Sequence, residues 1–529
     1  MGGWSASLST PSVNPRNVDT TQTLGQAPQK MHNGTRLAAV DLGSNSFRLE
    51  IGYVDHGQVH HTDYLKETVR QGNGLDEDRN LSLDAMQRGW DCLARFGERL
   101  AGFNPSQVRA VATQTLREAR NRDDFLSKAN EILGFPIDVI SGREEARLIY
   151  QGVAHLLPQS NERRLVVDIG GRSTELILGQ GHEAQVMESY RVGSVAWSMR
   201  YFSEGQFSHQ AFQSAEIAAK AVLDEALSTF RRDAWDTAYG SSGTVGAVGD
   251  VLAATGWPIG SINRDGLNWL LDNLLQAKSA DKLRMDGMKE DRRAVIGGGV
   301  SVLRAVFDLL DIDEMQVAQG ALRHGALCDL LDRQHEQTDL RSTSVNRLAK
   351  KFNVDSTQAR RVSRVARHLL QQLMPETSAD ESAHTMSKLD WAAQLHEIGS
   401  SISHSDYHKH GAYILDNADI PGFSMPELHR LGLLVLGHRG KLRKLDVDFE
   451  DVVFAKQLLA LRIATVLCHA RRNPNLQGIN VLCHSEISKQ FVLHCELDWA
   501  NSFPQSMHLL REELLAWKKT SWDIQLTHS

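Results

Sequence analysis

Two α/β half-domains of related topology, then a mainly helical region and a small α+β end, are the fold class this sequence predicts. Three observations predict it. The same loop is written twice: Val40-Asp41-Leu42-Gly43-Ser44-Asn45-Ser46 follows the apolar run Leu37-Ala38-Ala39, and Val167-Asp168-Ile169-Gly170-Gly171-Arg172-Ser173 follows Leu165-Val166. Around each copy, strand patterns alternate with helical ones. Beyond about Leu331 the pattern becomes helix after helix, until two alternating runs near the end read as strands.

Composition sets the bounds. At 529 residues the chain is too long for one core and predicts three or four domains. Its 41% apolar and 23% charged residues are those of an ordinary globular protein, neither disordered nor membrane-embedded. No run approaches the roughly 18 to 20 apolar residues that span a bilayer. The five cysteines, Cys92, Cys328, Cys468, Cys483 and Cys495, form no C-x-x-C pair, which argues against zinc and disulfides and predicts reduced core thiols.

Taken in order, residues 1–35 are rich in Ser, Thr, Asn, Gln, Gly and Pro and lack an apolar h-region. They predict a flexible tail rather than a signal peptide, and so an intracellular, cytoplasmic protein. Residues 36–148 form the first half-domain. Each loop copy reads as a buried strand ending in an Asp, a turn of small residues and an alternating strand (Phe47 to Gly52, Thr174 to Gly179), which is a hairpin and not a strand-to-helix turn. Leu81 to Leu100 predicts a helix capped by Ser82, and Val108 to Ala112 and Ile137 to Ile140 predict short strands. The second half-domain, 149–332, holds a long helical stretch from Gln210 to Arg231 and the glycine-rich segment Tyr239-Gly240-Ser241-Ser242-Gly243-Thr244. Its Ile296-Gly297-Gly298-Gly299-Val300 opens an apolar helix to Leu310. Residues 333–472 are helical, and 473–529, with strands at Ile479 to His484 and Phe491 to Cys495, form a small α+β domain.

The net charge of -7 is unevenly spread. Between Arg341 and Met374 the basic residues Arg341, Arg347, Lys350, Lys351, Arg360, Arg361, Arg364 and Arg367 meet one acid, Asp355. Val362, Val365, Ala366, Leu369, Leu370 and Leu373 recur on one helical face. This is an amphipathic helix with a basic outer side, either a solvated face or a path for a polyanion.

The duplicated loop points to phosphate. Backbone N–H groups in such a turn can aim at an anion, glycine lets a phosphate approach, and each copy offers an Asp for a metal or a water.

Four motifs in order then carry a family resemblance: Val40 to Arg48; Thr113-Gln114-Thr115-Leu116-Arg117; Ile140-Ser141-Gly142-Arg143-Glu144-Glu145-Ala146-Arg147; and Asp168-Ile169-Gly170-Gly171-Arg172-Ser173-Thr174-Glu175-Leu176. With Gly240 to Thr244 and Gln319 to Gly325, they resemble the exopolyphosphatase and guanosine pentaphosphate phosphatase family, in the superfamily of actin and the sugar kinases. The resemblance implies two actin-like (ribonuclease H-like) domains, and it implies Glu145 as the general base that takes the proton of an attacking water. Asp168 and Glu175, with Asp41, are the acids it offers to Mg2+, a hard cation suited to oxygen ligands; K+ is a second candidate ion. The phosphate cradle would comprise Gly43, Ser44, Asn45, Gly170, Gly171 and Ser173, with Ser242, Gly243 and Thr244 as a third edge. Arg48 and Arg117 are candidate guanidinium clamps, although Arg48 on its alternating strand could equally face solvent.

Arg172 departs from the family, which usually has glycine there, and is either an extra phosphate ligand or a sign of altered loop shape. The helical region resembles the HD phosphohydrolase domain, but His396-Glu397 stands where a metal-binding His-Asp would. His404, His408 and His410 lack the spacing of a zinc site. That region is expected to be structural or to guide substrate.

The function these residues imply is a Mg2+-dependent exopolyphosphatase releasing terminal orthophosphate from inorganic polyphosphate, with Arg361, Arg364 and Arg367 along the polyanion path. The alternative is hydrolysis of guanosine-5'-triphosphate,3'-diphosphate (pppGpp, guanosine pentaphosphate). A sugar or acid kinase, and a polyanion- or RNA-binding module with an inactive α/β half, are more distant readings. The resemblance also implies a homodimer, no specific nucleic acid partner, and a cytoplasmic location with the inner membrane surface as an alternative.

Overall fold

Asp41 and Asp168 end strands whose chains turn straight back, as the alternation predicts. In the computed structural model, which describes residues 33–528 except 57, 159, 334–338, 376–378 and 419, β1 (Arg36–Leu42) pairs antiparallel with β2 (Phe47–Asp55), and β2 with β3 (Gln58–Glu67). β4 (Val108–Ala112) lies parallel to β1, and β5 (Ile137–Val139) parallel to β4. The second half repeats this with β6 (Arg163–Ile169), β7 (Thr174–Gln180), β8 (Glu183–Tyr190), β9 (Thr237–Ser241), β10 (Ser261–Asn263) and β11 (Glu314–Val317). The sheet orders are β3-β2-β1-β4-β5 and β8-β7-β6-β9-β11-β10, so β10, antiparallel to β11, is the one addition. β1 and β6 are covered on both faces, which is why they read as unbroken apolar runs. Apart from residues 33–35, the expected tail lies outside the described residues.

Helix Leu83–Arg99 starts where predicted, with Ser82 Oγ accepting from the Ala85 N–H at 3.3 Å. The helix expected to reach Arg231 stops at Leu223. A 3-10 turn, Asp224–Ala226, follows and places Ala226 and Phe230 in the second core.

The first half does not close on a contiguous segment. The boundary expected at 148/149 falls inside helix Gly142–Leu156, and that helix packs backbone-close on helix Leu322–Arg333. Glycine permits the approach: a Cβ on Gly325 would lie 1.8 Å from the Leu148 carbonyl oxygen. Helix Leu322–Arg333 then returns to the first sheet, where Ala326, Leu327 and Leu330 bury Leu37, Ala39 and Val54. The first half-domain is therefore completed by residues assigned from sequence to the second.

The basic stretch from Arg341 forms two helices, Leu340–Lys351 and Ser356–Leu373. The predicted apolar face of the second is fully buried. Arg341 itself turns inward, paired with Asp339 and Glu427. Strands β12 (Ile479–Ser485), β13 (Gln490–Cys495) and β14 (Asp523–His528) share one core with these helices, from Val345 to Ile524, so 473–529 is not a separate domain. Trp522 Nε1 donating to the Phe449 carbonyl at 2.8 Å, and Trp517 meeting the Phe449 ring edge-on at 6.1 Å, are part of the bond between them. The five cysteines are free thiols, four of them buried. Among the described residues no helix is long and apolar enough to cross a membrane.

Candidate active site

The two loops face each other at the carboxyl ends of β1 and β6, where open α/β sheets gather ligands. A Cβ on Gly171 would lie 2.9 Å from Ser44 Cβ and 3.5 Å from the Asn45 nitrogen, so only glycine lets them approach this closely. The register is the same in both copies: Asp41 lies opposite Arg48 across the first turn, and Asp168 opposite Glu175 across the second. Thr115 Oγ1 donates to Ser44 Oγ at 2.7 Å and steadies the first loop. The N–H groups of Gly43, Ser44, Asn45, Gly171 and Arg172 donate to no protein acceptor among the described residues, which leaves them for an anion. Gly170 differs from the expectation: its N–H closes the turn onto the Ser173 carbonyl at 2.9 Å. Ser242 holds a left-handed φ of 87°, unusual for a residue with a Cβ, and its hydroxyl donates to the Ile169 carbonyl while accepting from the Thr244 N–H. It thereby fixes the N-terminus of helix Ser242–Ala254 at the edge of the cleft.

Four buried acids lie below the loops: Asp41, Glu145, Asp168 and Glu175. Burial, with the charges of Glu145 and Asp41, pushes Asp168 up to about 7, against the pull of Ser241 and Arg48. Burial and the charges of Glu145 and Asp168 push Glu175 well above the usual carboxylate range; Ser189, donating to Oε1 at 2.7 Å, opposes them. Burial also raises Glu145, and Arg117 is the cation that counters it. Glu175 Oε2 is buried with no hydrogen-bond partner. An orphaned carboxylate oxygen among acids that raise one another's proton affinity suits a divalent cation, which supplies the missing charge. Ligand atoms of Asp41, Asp168 and Glu175 do not all lie within 4.8 Å of one another. That spacing suits an ion that keeps waters and substrate oxygens among its ligands.

The two candidate clamps part company. Arg48 faces the site and not solvent, its Nη1 3.0 Å from Asp41 Oδ2. Arg117 is committed elsewhere: Nη1 donates to Glu145 Oε2 and the Ile140 carbonyl, both at 2.8 Å, and Nε and Nη2 to Gln114 Oε1. It holds the carboxylate rather than reaching into the cleft, because the buried Glu145 charge is its ion-pair partner. Arg172 neither aims at a phosphate nor distorts its loop. It has no positive φ, and its guanidinium bonds Glu118 and the Gly72 carbonyl.

Residues the motifs did not indicate complete the rim. Lys66 Nζ lies 2.7 Å from Asp291 Oδ2, tying the first sheet to the second half. Arg292 lies over Gly243, where a Cβ would come within 2.2 Å of its Nη2. No local pattern in the sequence marks Arg292 as the buried member of the Arg292-Arg293 pair. Ser189 follows only from the register that sets it opposite Glu175.

Elsewhere, Arg361 and Arg364 bond Asn473, just past the helical region, and Arg367 bonds Asp390 within it. His404, His408 and His410 do not converge as a metal group among the described residues. Glu50, His61 and His324 do lie together, but the donors do not suit a cation. The Ala321 N–H donates to His324 Nδ1, which keeps the proton on Nε2, and Arg323 occupies Glu50 Oε2 at 2.7 Å.

Comparison with known proteins places the chain in a family. Residues 51–334 match the model of the Ppx/GppA phosphatase family, and 340–517 match Ppx/GppA phosphatase, domain III. A guanosine-5'-triphosphate,3'-diphosphate pyrophosphatase of Vibrio atlanticus is 41% identical over 83% of this chain and 88% of its own. The Vibrio cholerae protein of the same name is 38% identical over 92% of this chain and 97% of its own. An exopolyphosphatase structure from Cytophaga hutchinsonii covers 56% of this chain and 98% of its own at 23% identity and a TM-score of 0.51, a likeness of fold. With an actin-like pair of α/β domains, a cleft of facing small-residue loops and buried acids, and these relatives, the chain belongs to the Ppx/GppA phosphatase family of phosphoanhydride hydrolases.

Proposed function

We propose that this enzyme hydrolyses the terminal phosphate of guanosine-5'-triphosphate,3'-diphosphate, giving orthophosphate and the tetraphosphate. The observation that carries the reading is that relatives bearing that activity in their names align over most of the chain, helical region included, at 38% to 41% identity. Inorganic polyphosphate, the first expectation from sequence, becomes the second reading. It is favoured by one observation: Arg364 and Arg367 stand exposed on helix Ser356–Leu373.

Glu145 takes the proton of the attacking water as the new bond to the terminal phosphorus forms and the anhydride P–O bond breaks, and the tetraphosphate leaves with the electron pair on its former bridging oxygen. Arg117 orients Glu145 through its 2.8 Å bond and favours its ionised form. Gly43, Ser44, Asn45 and Gly171 receive the terminal phosphate on backbone N–H groups, with Ser173, Ser242, Gly243 and Thr244 bordering it, and Arg48 adds positive charge. Family members use a divalent metal. Mg2+ held by Asp168 and Glu175, with Asp41, would neutralise phosphate charge when bound. Lys66 and Arg292, on the same rim, suit a substrate that carries a second group of phosphates.

Phosphate release from guanosine pentaphosphate, tripolyphosphate and long polyphosphate, measured side by side with Glu145→Ala as control, tests the proposal. Guanosine pentaphosphate is expected to show the highest kcat/KM. A higher value for long polyphosphate would reverse the order of the two readings, and full activity in Glu145→Ala would remove the mechanism.

A further inference from the structure

Arg172 sits in the second phosphate loop but sends its side chain into the first half of the molecule. Its Nε donates to Glu118 Oε2 at 3.0 Å and its Nη1 to the Gly72 carbonyl at 3.1 Å. The other Glu118 oxygen, Oε1, accepts from Gln114 Nε2 at 2.7 Å. Gln114 Oε1 in turn accepts from Arg117 Nε at 3.1 Å and Nη2 at 2.6 Å, and Arg117 Nη1 donates to Glu145 Oε2 at 2.8 Å. One unbroken chain of hydrogen bonds therefore runs from one phosphate loop, across the cleft, to the carboxylate opposite.

Each link restrains the next. Gln114 has a single side-chain oxygen, which receives two Arg117 nitrogens, and its amide can present that oxygen only while its nitrogen points at Glu118. Glu118 is held in turn by Arg172. The side chains at the two ends are largely shielded from solvent, 21% and 11% exposed for Arg172 and Glu118, 12% and 9% for Arg117 and Glu145. Contacts of this kind survive screening better than a surface pair. Gly72 belongs to the same junction, since a Cβ there would meet both Arg172 Cδ and Ser44 Cβ at 3.2 Å. The guanidinium thus lies where the two loops touch.

We propose that Arg172 is a positioning residue: it fastens the second phosphate loop to the first half-domain and, through Glu118, Gln114 and Arg117, holds the Glu145 carboxylate in line for the attacking water. The inference rests on Glu145 being the base. The Arg172 guanidinium is turned away from the phosphate, and its backbone N–H survives substitution, so loss of the side chain acts on turnover and not on substrate capture. A small displacement of a reacting group costs up to about 10²-fold in rate.

The test is steady-state phosphate release from guanosine pentaphosphate by wild type, Arg172→Gly, Arg172→Lys, Gln114→Ala, Arg172→Gly with Gln114→Ala, and Glu145→Gln, each with a circular-dichroism melt. Arg172→Gly is expected to lower kcat roughly tenfold or more with KM nearly unchanged. Arg172→Lys, which can still pair with Glu118, should recover part of the loss, and the double variant should match the more affected single one because both cut the same chain. If Arg172→Gly fails to fold, Glu118→Gln, which removes the charge at nearly constant shape, takes its place. A loss confined to KM, a wild-type kcat, or independent multiplying losses in the double variant would overturn the relay while Glu145→Gln stays inactive. Activity retained in Glu145→Gln would instead overturn the assignment of the base.

Discussion

Glu175→Gln should make the metal-free protein more stable while abolishing its activity. Glu175 lies fully buried with Oε2 unpartnered and with Glu145 and Asp168 as charged neighbours that raise its proton affinity. A buried polar oxygen left unsatisfied costs about 1–3 kcal/mol. The glutamine keeps a carbonyl oxygen for the Ser189 hydroxyl and turns an N–H donor toward those carboxylates, so most of that cost is recovered. For a domain of this size the gain is a rise in melting temperature of roughly 2–4 °C per kcal/mol. In the proposed site the same oxygen is offered to the cation. Mg2+ at ~100 times its dissociation constant should stabilise the wild type by about 2.7 kcal/mol and the variant by far less. Thermal unfolding with chelator and with saturating Mg2+, read by circular dichroism, measures both arms without relying on turnover. A lower melting temperature for the metal-free variant, or equal stabilisation of both proteins by Mg2+, would refute the placement of the metal.

Asp329→Asn should destabilise the junction with the helical region by about 3–5 kcal/mol, read as a lower urea midpoint. Asp329 is buried, accepts from Arg147 and Arg333 at 2.6 Å each, and lies 3.8 Å from Arg109, so its loss strands buried cations. Without metal, melting temperature should fall as pH rises from roughly 4 to 7 and level off above that. Between its ordinary 3.8 and about 7, folded Asp168 keeps a proton that the unfolded chain has released, so its contribution is full at the acid end and lost as pH passes 7. Saturating Mg2+ should flatten that slope, and a slope of the opposite sign would contradict the burial of these acids.

Much of the site was legible because its chemistry lies in contiguous residues. A strand ending in Asp, a turn of small residues and a returning strand are local patterns, and both copies folded as hairpins with the register those patterns imply. Arg117 was legible as a cation near the site but not in its partner, since whether a guanidinium meets a phosphate or a buried carboxylate depends on what the fold sets beside it. The half-domain boundaries erred for a similar reason. Helix Leu322–Arg333 carries an apolar face, but no periodicity says that the face covers β1 and not the sheet just before it.

By itself, then, the sequence determined the duplicated loop, the acids at its edges and the alternation of strands and helices, all set by neighbours a few residues apart. Only the tertiary structure decided how these parts act on each other: that Glu175 is left with an orphaned oxygen, that Arg292 covers Gly243, and that Arg172 reaches Glu118, 54 residues away in the chain. The physical reason is that such contacts follow from the closing of two half-domains on one cleft. Burial there converts ordinary carboxylates and guanidiniums into groups whose charge depends on their neighbours.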